Sequence, residues 1–503
     1  MSADESSEVT NGHRAPRGAS VTGAWNDIEY TAAAKWLVLR KKEKPSAEMF
    51  SVSYVVRDAD LDRPVTFVFN GGPGASSAYL HVGVVGPKRV EFPPDGSLPV
   101  MPPRLVHNDE SWLAFSDLVF VDPVGTGFSR IVDEDETDGK AAQNGGAKKD
   151  KPKAEESDPK EYFGYKRDLE SLCEFIGRWL SANGRWGSPV LIAGESYGGY
   201  RVGRLVRVLQ ESAGIGLNGA ILISPALEIS TIAASDYDIV PWVNVVPTMA
   251  GAAAHHGRSR AFGDGTPVEQ VEQEAEGFAT GDYAAFLARG AAMPAAERER
   301  VLGRLADLIG LPVELVTRAE GRVPIGVFAR ELLRDKRKVI GRYDATITAT
   351  DPFPDREAFG GADPTLSGIS AAFTMAINRQ LRSEIGVETD REYTVLSEEV
   401  NEEWTNDDKR HFFLPPVGAT DDFRYGMSLN PNLKAFIAHG RYDLVTPYYA
   451  SDRLRNLMRL DPATAGRVTV RHYGGGHMFY AWEESRRDFT RAIADFVAAA
   501  TNR

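Results

Sequence analysis

The sequence predicts an α/β protein: a mostly parallel central sheet flanked by helices, with a mainly helical cap inserted into it. Three observations carry this. Short, continuous apolar runs read as strands buried on both faces: Val65-Thr66-Phe67-Val68-Phe69, Leu118-Val119-Phe120-Val121, Val190-Leu191-Ile192-Ala193 and Ala220-Ile221-Leu222-Ile223. Helical patterns over 165–180 and 200–209 separate some of them, as parallel crossovers require. After 228 the strand rhythm stops, and it resumes only at Leu433-Lys434-Ala435-Phe436-Ile437 and Val468-Thr469-Val470-Arg471.

In chain order, residues 1–20 are expected to form a disordered tail. Residues 21–227 form the first part of the core, beginning with β-like runs such as Glu48-Met49-Phe50-Ser51-Val52-Ser53-Tyr54-Val55-Val56-Arg57. Within it, 132–160 is crowded with Asp, Glu, Lys, Gly and Ala and reads as a solvated, flexible loop. Residues 228–411 are the helical insertion, with helices expected over 282–289, 295–309 and 325–335. Residues 412–503 complete the core and close with a helix over 485–499.

The chain has 503 residues, 42 % hydrophobic and 26 % charged, which is ordinary globular composition and excludes a disordered or fibrous chain. Its 58 basic against 71 acidic residues give a net charge of −13, which argues against nucleic acid as a partner. Cys173 is the only cysteine, so no intramolecular disulfide can form. No apolar run is long enough to span a membrane. The polar start, without a basic-then-apolar run, sets the expectation of a soluble, cytoplasmic protein.

The sharpest local signal is Gly194-Glu195-Ser196-Tyr197-Gly198, directly after one strand-like run and before a helical one. A G-x-S-x-G element in that setting turns sharply and leaves its hydroxyl exposed above the strand ends. The alternative is a glycine turn whose serine only caps the helix. A nucleophilic serine needs a base, and the base an orienting carboxylate. Both should follow Ser196, the acid first. His477 comes after Gly474-Gly475-Gly476 at the carboxyl end of one strand, and Asp443 after the end of another. A helical run over 448–460 between them is long enough to make the two strands parallel neighbours. His439 and His472 lie at or in their strands and read as packed. His255-His256 lack spaced carboxylates, so no metal pattern forms and no cofactor is implied. Asp344 and Asp122 are alternative acids, although Asp122 precedes the serine. The developing oxyanion needs two backbone N–H groups: that of Tyr197, and one from the loop Asn70-Gly71-Gly72-Pro73-Gly74.

Four segments together resemble the serine carboxypeptidase family: Asn70-Gly71-Gly72-Pro73-Gly74-Ala75-Ser76-Ser77, Asp122-Pro123-Val124-Gly125-Thr126-Gly127-Phe128-Ser129, Gly194-Glu195-Ser196-Tyr197-Gly198-Gly199 and Gly476-His477-Met478. The resemblance is closest to bacterial members and runs from about residue 21 to 497. It implies an α/β-hydrolase fold with a helical cap and removal of C-terminal residues from peptides. It implies Ser196 as nucleophile, His477 as base and Asp443 as its partner. Gly72 and Tyr197 would supply the oxyanion N–H groups. Asn70, the Gly71 N–H and Glu195 would bind the substrate's terminal carboxylate. Two carboxyl groups share a hydrogen bond only if one is protonated, so binding should weaken as pH rises.

This sequence departs from the family pattern at several places. Val84-Val85-Gly86-Pro87 stands where many members have a glutamate before Gly-Pro, so the usual partner of the carboxylate-binding Glu195 is missing. Ala75 replaces a disulfide cysteine, which fits a reducing compartment. Asp122-Pro123 replaces Asp-Gln-Pro, and the acidic insertion after Ser129 is unusual. Two other readings share these motifs: an acyltransferase or amide-forming enzyme, and a non-catalytic binding protein on the same fold.

Overall fold

A computed structural model describes residues 9–10, 13–41, 44–132, 159–232, 235–356, 359–407 and 417–502. Most of the loop expected over 132–160 lies outside the described residues, as do 1–8 and 11–12 of the expected tail.

Ten strands form one sheet. In chain order they are β1 (Ala19–Trp25), β2 (Ile28–Lys41), β3 (Lys44–Val56), β4 (Val65–Phe69), β5 (Asp117–Val121), β6 (Arg130–Ile131), β7 (Val190–Glu195), β8 (Gly219–Ile223), β9 (Lys434–Gly440) and β10 (Val468–Tyr473). The spatial order is β10-β9-β8-β7-β4-β5-β3-β2-β1, with β6 against β3. From β10 to β5 every pairing is parallel. From β5 to β1 the pairing is antiparallel. The parallel strands β4, β5, β7 and β8 are buried at every position, which is why their sequences read as unbroken apolar runs.

One face of the sheet packs on helices α1 (Tyr165–Ala182), α2 (Tyr197–Glu211) and α7 (Thr420–Leu429). The other packs on the closing helix α9 (Glu483–Thr501), and α6 (Pro364–Asn378) belongs to the same core. The stretch expected as one helical insertion therefore divides. Helices α3 (Val240–His255), α4 (Val268–Phe278) and α5 (Ala295–Ile309) share a separate core that extends to Ala345. In α6, by contrast, Ile369, Ala372, Phe373, Ala376 and Ile377 form a stripe of helical period that joins the core on this side of the sheet, with the Phe373 ring against Tyr79 and Phe92.

The tail expected over residues 1–20 is corrected at its C-terminal end. Ala19 already pairs with Ala34. His13 is buried, with its Nε2 2.8 Å from Glu48 Oε1. Glu48 is fully enclosed and also receives Arg391 Nη1 at 2.6 Å, so a buried carboxylate anchors this segment by collecting its partners.

Candidate active site

The end of β7 turns through Ser196 into α2. Ser196 has φ 60° and ψ −122°, a backbone conformation that L-residues rarely adopt. The two flanking glycines permit it. A Cβ at Gly194 would lie 2.1 Å from the Gly198 oxygen, and one at Gly198 would lie 2.8 Å from that of Phe69. Of residues 191–200 only Ser196 is not buried, so the turn presents its side chain at the surface.

β9 and β10 are parallel neighbours, with His439 opposite His472 and Gly440 opposite Tyr473. The crossover between them contains α8 (Tyr448–Leu457). Their ends bring Asp443 and His477 together: His477 Nδ1 lies 2.6 Å from Asp443 Oδ2. Asp443 is fully buried and its acceptor capacity is used. Oδ1 accepts the N–H groups of Val445 and Thr446 at 2.9 and 3.1 Å, and Oδ2 accepts the Thr446 hydroxyl at 2.6 Å. Burial works against an imidazolium at His477, but the Asp443 charge and hydrogen bond, with the charge of Glu195, outweigh it and raise its pKa.

Ser196 and His477 flank one short connection. Ser196 N–H donates to Ile223 O at 2.9 Å, and Ala226 N–H donates to Ser196 O at 3.0 Å. Between those residues, Ser224 Oγ donates to His477 O at 2.8 Å, and Ser224 O lies 3.0 Å from the Thr446 hydroxyl oxygen. The Asp443–His477 half of the expected relay is thus closed. Among the described residues no hydrogen bond joins Ser196 Oγ to the imidazole, a link that often tightens only around substrate.

The loop 70–74 lies against the turn. A Cβ on Gly71 would fall 2.5 Å from Tyr197 N and 2.9 Å from Ser196 Cβ, so only glycine allows this approach. Tyr197 N–H opens α2 and has no partner within the helix. Arg201, fully buried, holds Asp168 through Nε at 2.8 Å and Nη2 at 3.1 Å and donates Nη1 to Asn70 O at 2.5 Å, which pins the loop from below. Asn70 Oδ1 accepts Leu80 N–H at 3.0 Å, and its Nδ2 donates to Glu195 Oε2.

Glu195, next in the chain to Ser196, is buried. Burial pushes its carboxyl up to about 7, against the charge of His477 and the hydrogen bonds from Tyr480 and Asn70. The Tyr480 hydroxyl stands 2.9 and 3.1 Å from its two oxygens. Sequence reasoning left Glu195 without a second partner, because Val84 and Val85 replace the usual glutamate. Tyr480, Thr446, Ser224 and Arg201 were all missed, and no motif marks them. The two alternative acids stand elsewhere. Asp122 Oδ1 accepts the Ser77 N–H at 2.9 Å and hydroxyl at 2.7 Å behind the glycine loop. Asp344 accepts the Gly476 N–H at 2.9 Å. Among the described residues no group of three or more His, Cys, Asp or Glu side chains could hold a metal ion, and no helix is long and apolar enough to cross a membrane.

A mostly parallel sheet with a serine on a sharp strand-to-helix turn, and with an aspartate and a histidine paired at the ends of two later neighbouring strands, is the architecture of the α/β hydrolases. Within that class the serine carboxypeptidase family matches residues 36–238 of this chain. Pheromone-processing carboxypeptidase KEX1 of Saccharomyces cerevisiae is 35 % identical over 107 residues, covering 21 % of this chain and 13 % of that protein. Serine carboxypeptidase-like 36 of Arabidopsis thaliana is 31 % identical over 168 residues, covering 33 % of this chain and 28 % of that one. These matches thus span less than a third of either relative. The crystal structure of Kex1(delta)p, a prohormone-processing carboxypeptidase from Saccharomyces cerevisiae, superposes with a TM-score of 0.54 at 15 % identity, covering 93 % of this chain and 91 % of that one, which shows a shared fold.

Proposed function

We propose that this chain is a serine-type carboxypeptidase that releases C-terminal residues from peptides through an acyl-enzyme. Ser196 Oγ attacks the last peptide carbonyl while His477, oriented by Asp443, takes its proton. The N–H groups of Gly72 and Tyr197 stabilise the oxyanion. His477 then protonates the leaving amine, and water, activated by the same imidazole, releases the shortened peptide. The setting in this reading is cytoplasmic and reducing, supported by the free thiol of Cys173.

One observation carries the peptidase reading over other acyl chemistries: a buried carboxyl immediately before the nucleophile, with Asn70 and Tyr480 as hydrogen-bond partners. Below about pH 7 that group is a neutral acid. It can then donate to a substrate's terminal carboxylate, with Asn70 and the Gly71 N–H beside it. Mass spectrometry of a mixed peptide library, incubated with and without an added amine or alcohol, tests the reading. Stepwise loss from the C-terminus supports it. Internal cuts, or loss from the N-terminus, would refute it. Capture of acyl groups by the acceptor in preference to water would make the chain an acyltransferase. Glu195→Gln should impair free-acid peptides more than C-terminal amides, and equal losses would remove Glu195 from carboxylate recognition.

A further inference from the structure

The base sits on a loop with little stiffness of its own, since Gly474, Gly475 and Gly476 precede it. Its support comes from the insertion. Ile340 and Ala345 belong to the insertion's core, and between them the chain runs past both catalytic loops. Arg342 O accepts Leu444 N–H at 3.0 Å, and Ala345 N–H donates to Tyr442 O at 3.0 Å, so this segment brackets Asp443. Tyr343 O accepts His477 N–H at 2.5 Å, and the Tyr343 ring meets the imidazole edge-on at a centroid distance of 5.3 Å. Asp344 is buried and receives four donors. Oδ2 accepts the Gly476 N–H at 2.9 Å and Trp482 Nε1 at 3.2 Å, and Oδ1 accepts the N–H and hydroxyl of Thr346 at 3.0 and 2.5 Å. Only a carboxylate, which accepts at both oxygens, satisfies this set; an amide would turn its NH2 toward two donors.

We propose that Asp344 is the positioning residue of the catalytic base: by fixing the Gly474-Gly475-Gly476 loop it keeps His477 Nδ1 on Asp443, so the insertion sets the geometry of the hydrolytic site. The proposal rests on the reading of Ser196, His477 and Asp443 as the catalytic groups. The charged and titratable groups facing His477 are Asp443, Glu195 and Tyr343, with His439 behind it. Asp344 itself is the other buried titratable group at this loop, one residue from His477 through the Gly476 N–H.

The test compares Asp344→Asn and the milder, isosteric Thr346→Val with the unaltered chain. The substrate is an N-acyl amino-acid ester, which has no free carboxylate for Glu195 to bind. Rates are followed across the pH range at a temperature where circular dichroism shows each protein folded. For Asp344→Asn, kcat is expected to fall about 10- to 100-fold with KM within about twofold, as a misplaced base would cause. The acidic limb of the profile is expected to move to lower pH, because the Asp443 contact that raises the His477 pKa is loosened. Thr346→Val should move both in the same direction and less. A readout independent of turnover is the downfield proton of the Asp443–His477 hydrogen bond in the NMR spectrum, which should be lost or shifted in Asp344→Asn. An unchanged proton signal in the folded variants would overturn the proposal. So would a fall in kcat that follows thermal stability while the limb stays fixed. If the unaltered chain turns over no peptide or ester yet the signal responds, the proposed function fails and the positioning role stands.

Discussion

The Tyr480 hydroxyl lies 2.9 Å from Glu195 Oε1 and 3.1 Å from Oε2, so this buried carboxyl has a phenol, not a second acid, as its hydrogen-bond partner beside Asn70. A second acid would divide the charge of the pair between two groups. A tyrosine adjacent to a carboxylate keeps its proton, and burial with the Glu195 charge raises its own pKa well above the ordinary value. Glu195 is therefore left with burial as the main influence on its protonation, and its ionisation lies at about 7.

A pH dependence with a definite sign results. Below about 7 Glu195 is neutral and can donate to a peptide carboxylate; above it the two repel. KM for free-acid peptides is expected to rise roughly tenfold per pH unit beyond that point, while ester and amide substrates escape the rise. The Tyr480 hydrogen bond lowers the Glu195 pKa, so Tyr480→Phe should carry the rise to higher pH. Initial rates on matched acid and amide peptides from acid to mildly alkaline pH measure both effects. A KM that is flat across neutrality would count against the assignment.

How much of this could be read from the sequence depended on whether the determining contacts are local. The buried parallel strands were legible because burial on both faces writes itself as a continuous apolar run. The meeting of Asp443 and His477 was legible because two parallel neighbouring strands end on the same edge of the sheet. Helix α3 was not: 13 of its residues are buried, so it has no polar face to give a helical period, and Pro247 lies inside it. The return of the chain to the sheet's own core at α6 was missed for another reason, since an amphipathic stripe does not say which core it seals. Tyr480 and Asp344 act through partners 285 and 132 residues away. No spacing rule reaches that far.

Thr446 supplies a second, local test. Its hydroxyl donates to Asp443 Oδ2 at 2.6 Å and lies 3.1 Å from His477 Nδ1. Thr446→Val keeps the shape and removes a hydrogen bond to a charged group, worth about 1.5–3 kcal/mol. With that donor gone Asp443 is freer to rotate, and kcat is expected to fall roughly 10-fold with little change in KM. Steady-state kinetics on one good peptide decide it, and a large KM effect with kcat intact would be the wrong outcome.

Gly71 offers a steric test of the oxyanion site. Any Cβ there would meet Tyr197 N at 2.5 Å, a backbone atom that cannot move without disturbing the turn. Gly71→Ala should displace the loop from the Tyr197 N–H and lower kcat by about 10²-fold or more, the scale of losing one oxyanion donor. Far-ultraviolet circular dichroism should remain that of the parent. Near-parental turnover would show that this loop does not form the hole.

The backbone at Ser196 makes stability and activity move in opposite directions. Its φ of 60° with ψ −122° is a conformation that glycine adopts freely and serine does not. Strain of this kind is worth about 1–3 kcal/mol, from which glycine's greater freedom in the unfolded chain removes up to about 1 kcal/mol. Ser196→Gly is therefore expected to unfold at higher denaturant concentration than the parent, by about 1 kcal/mol. Turnover should drop by on the order of 10³ or more, because the attacking hydroxyl is gone. Ser196→Ala should lose the same activity without the gain in stability, since alanine keeps the Cβ that makes the turn costly. Chemical denaturation of the three proteins side by side separates the two effects. Equal midpoints for the glycine and alanine variants would mean that the turn is not strained, and that the exposed hydroxyl is held there at no cost to the fold.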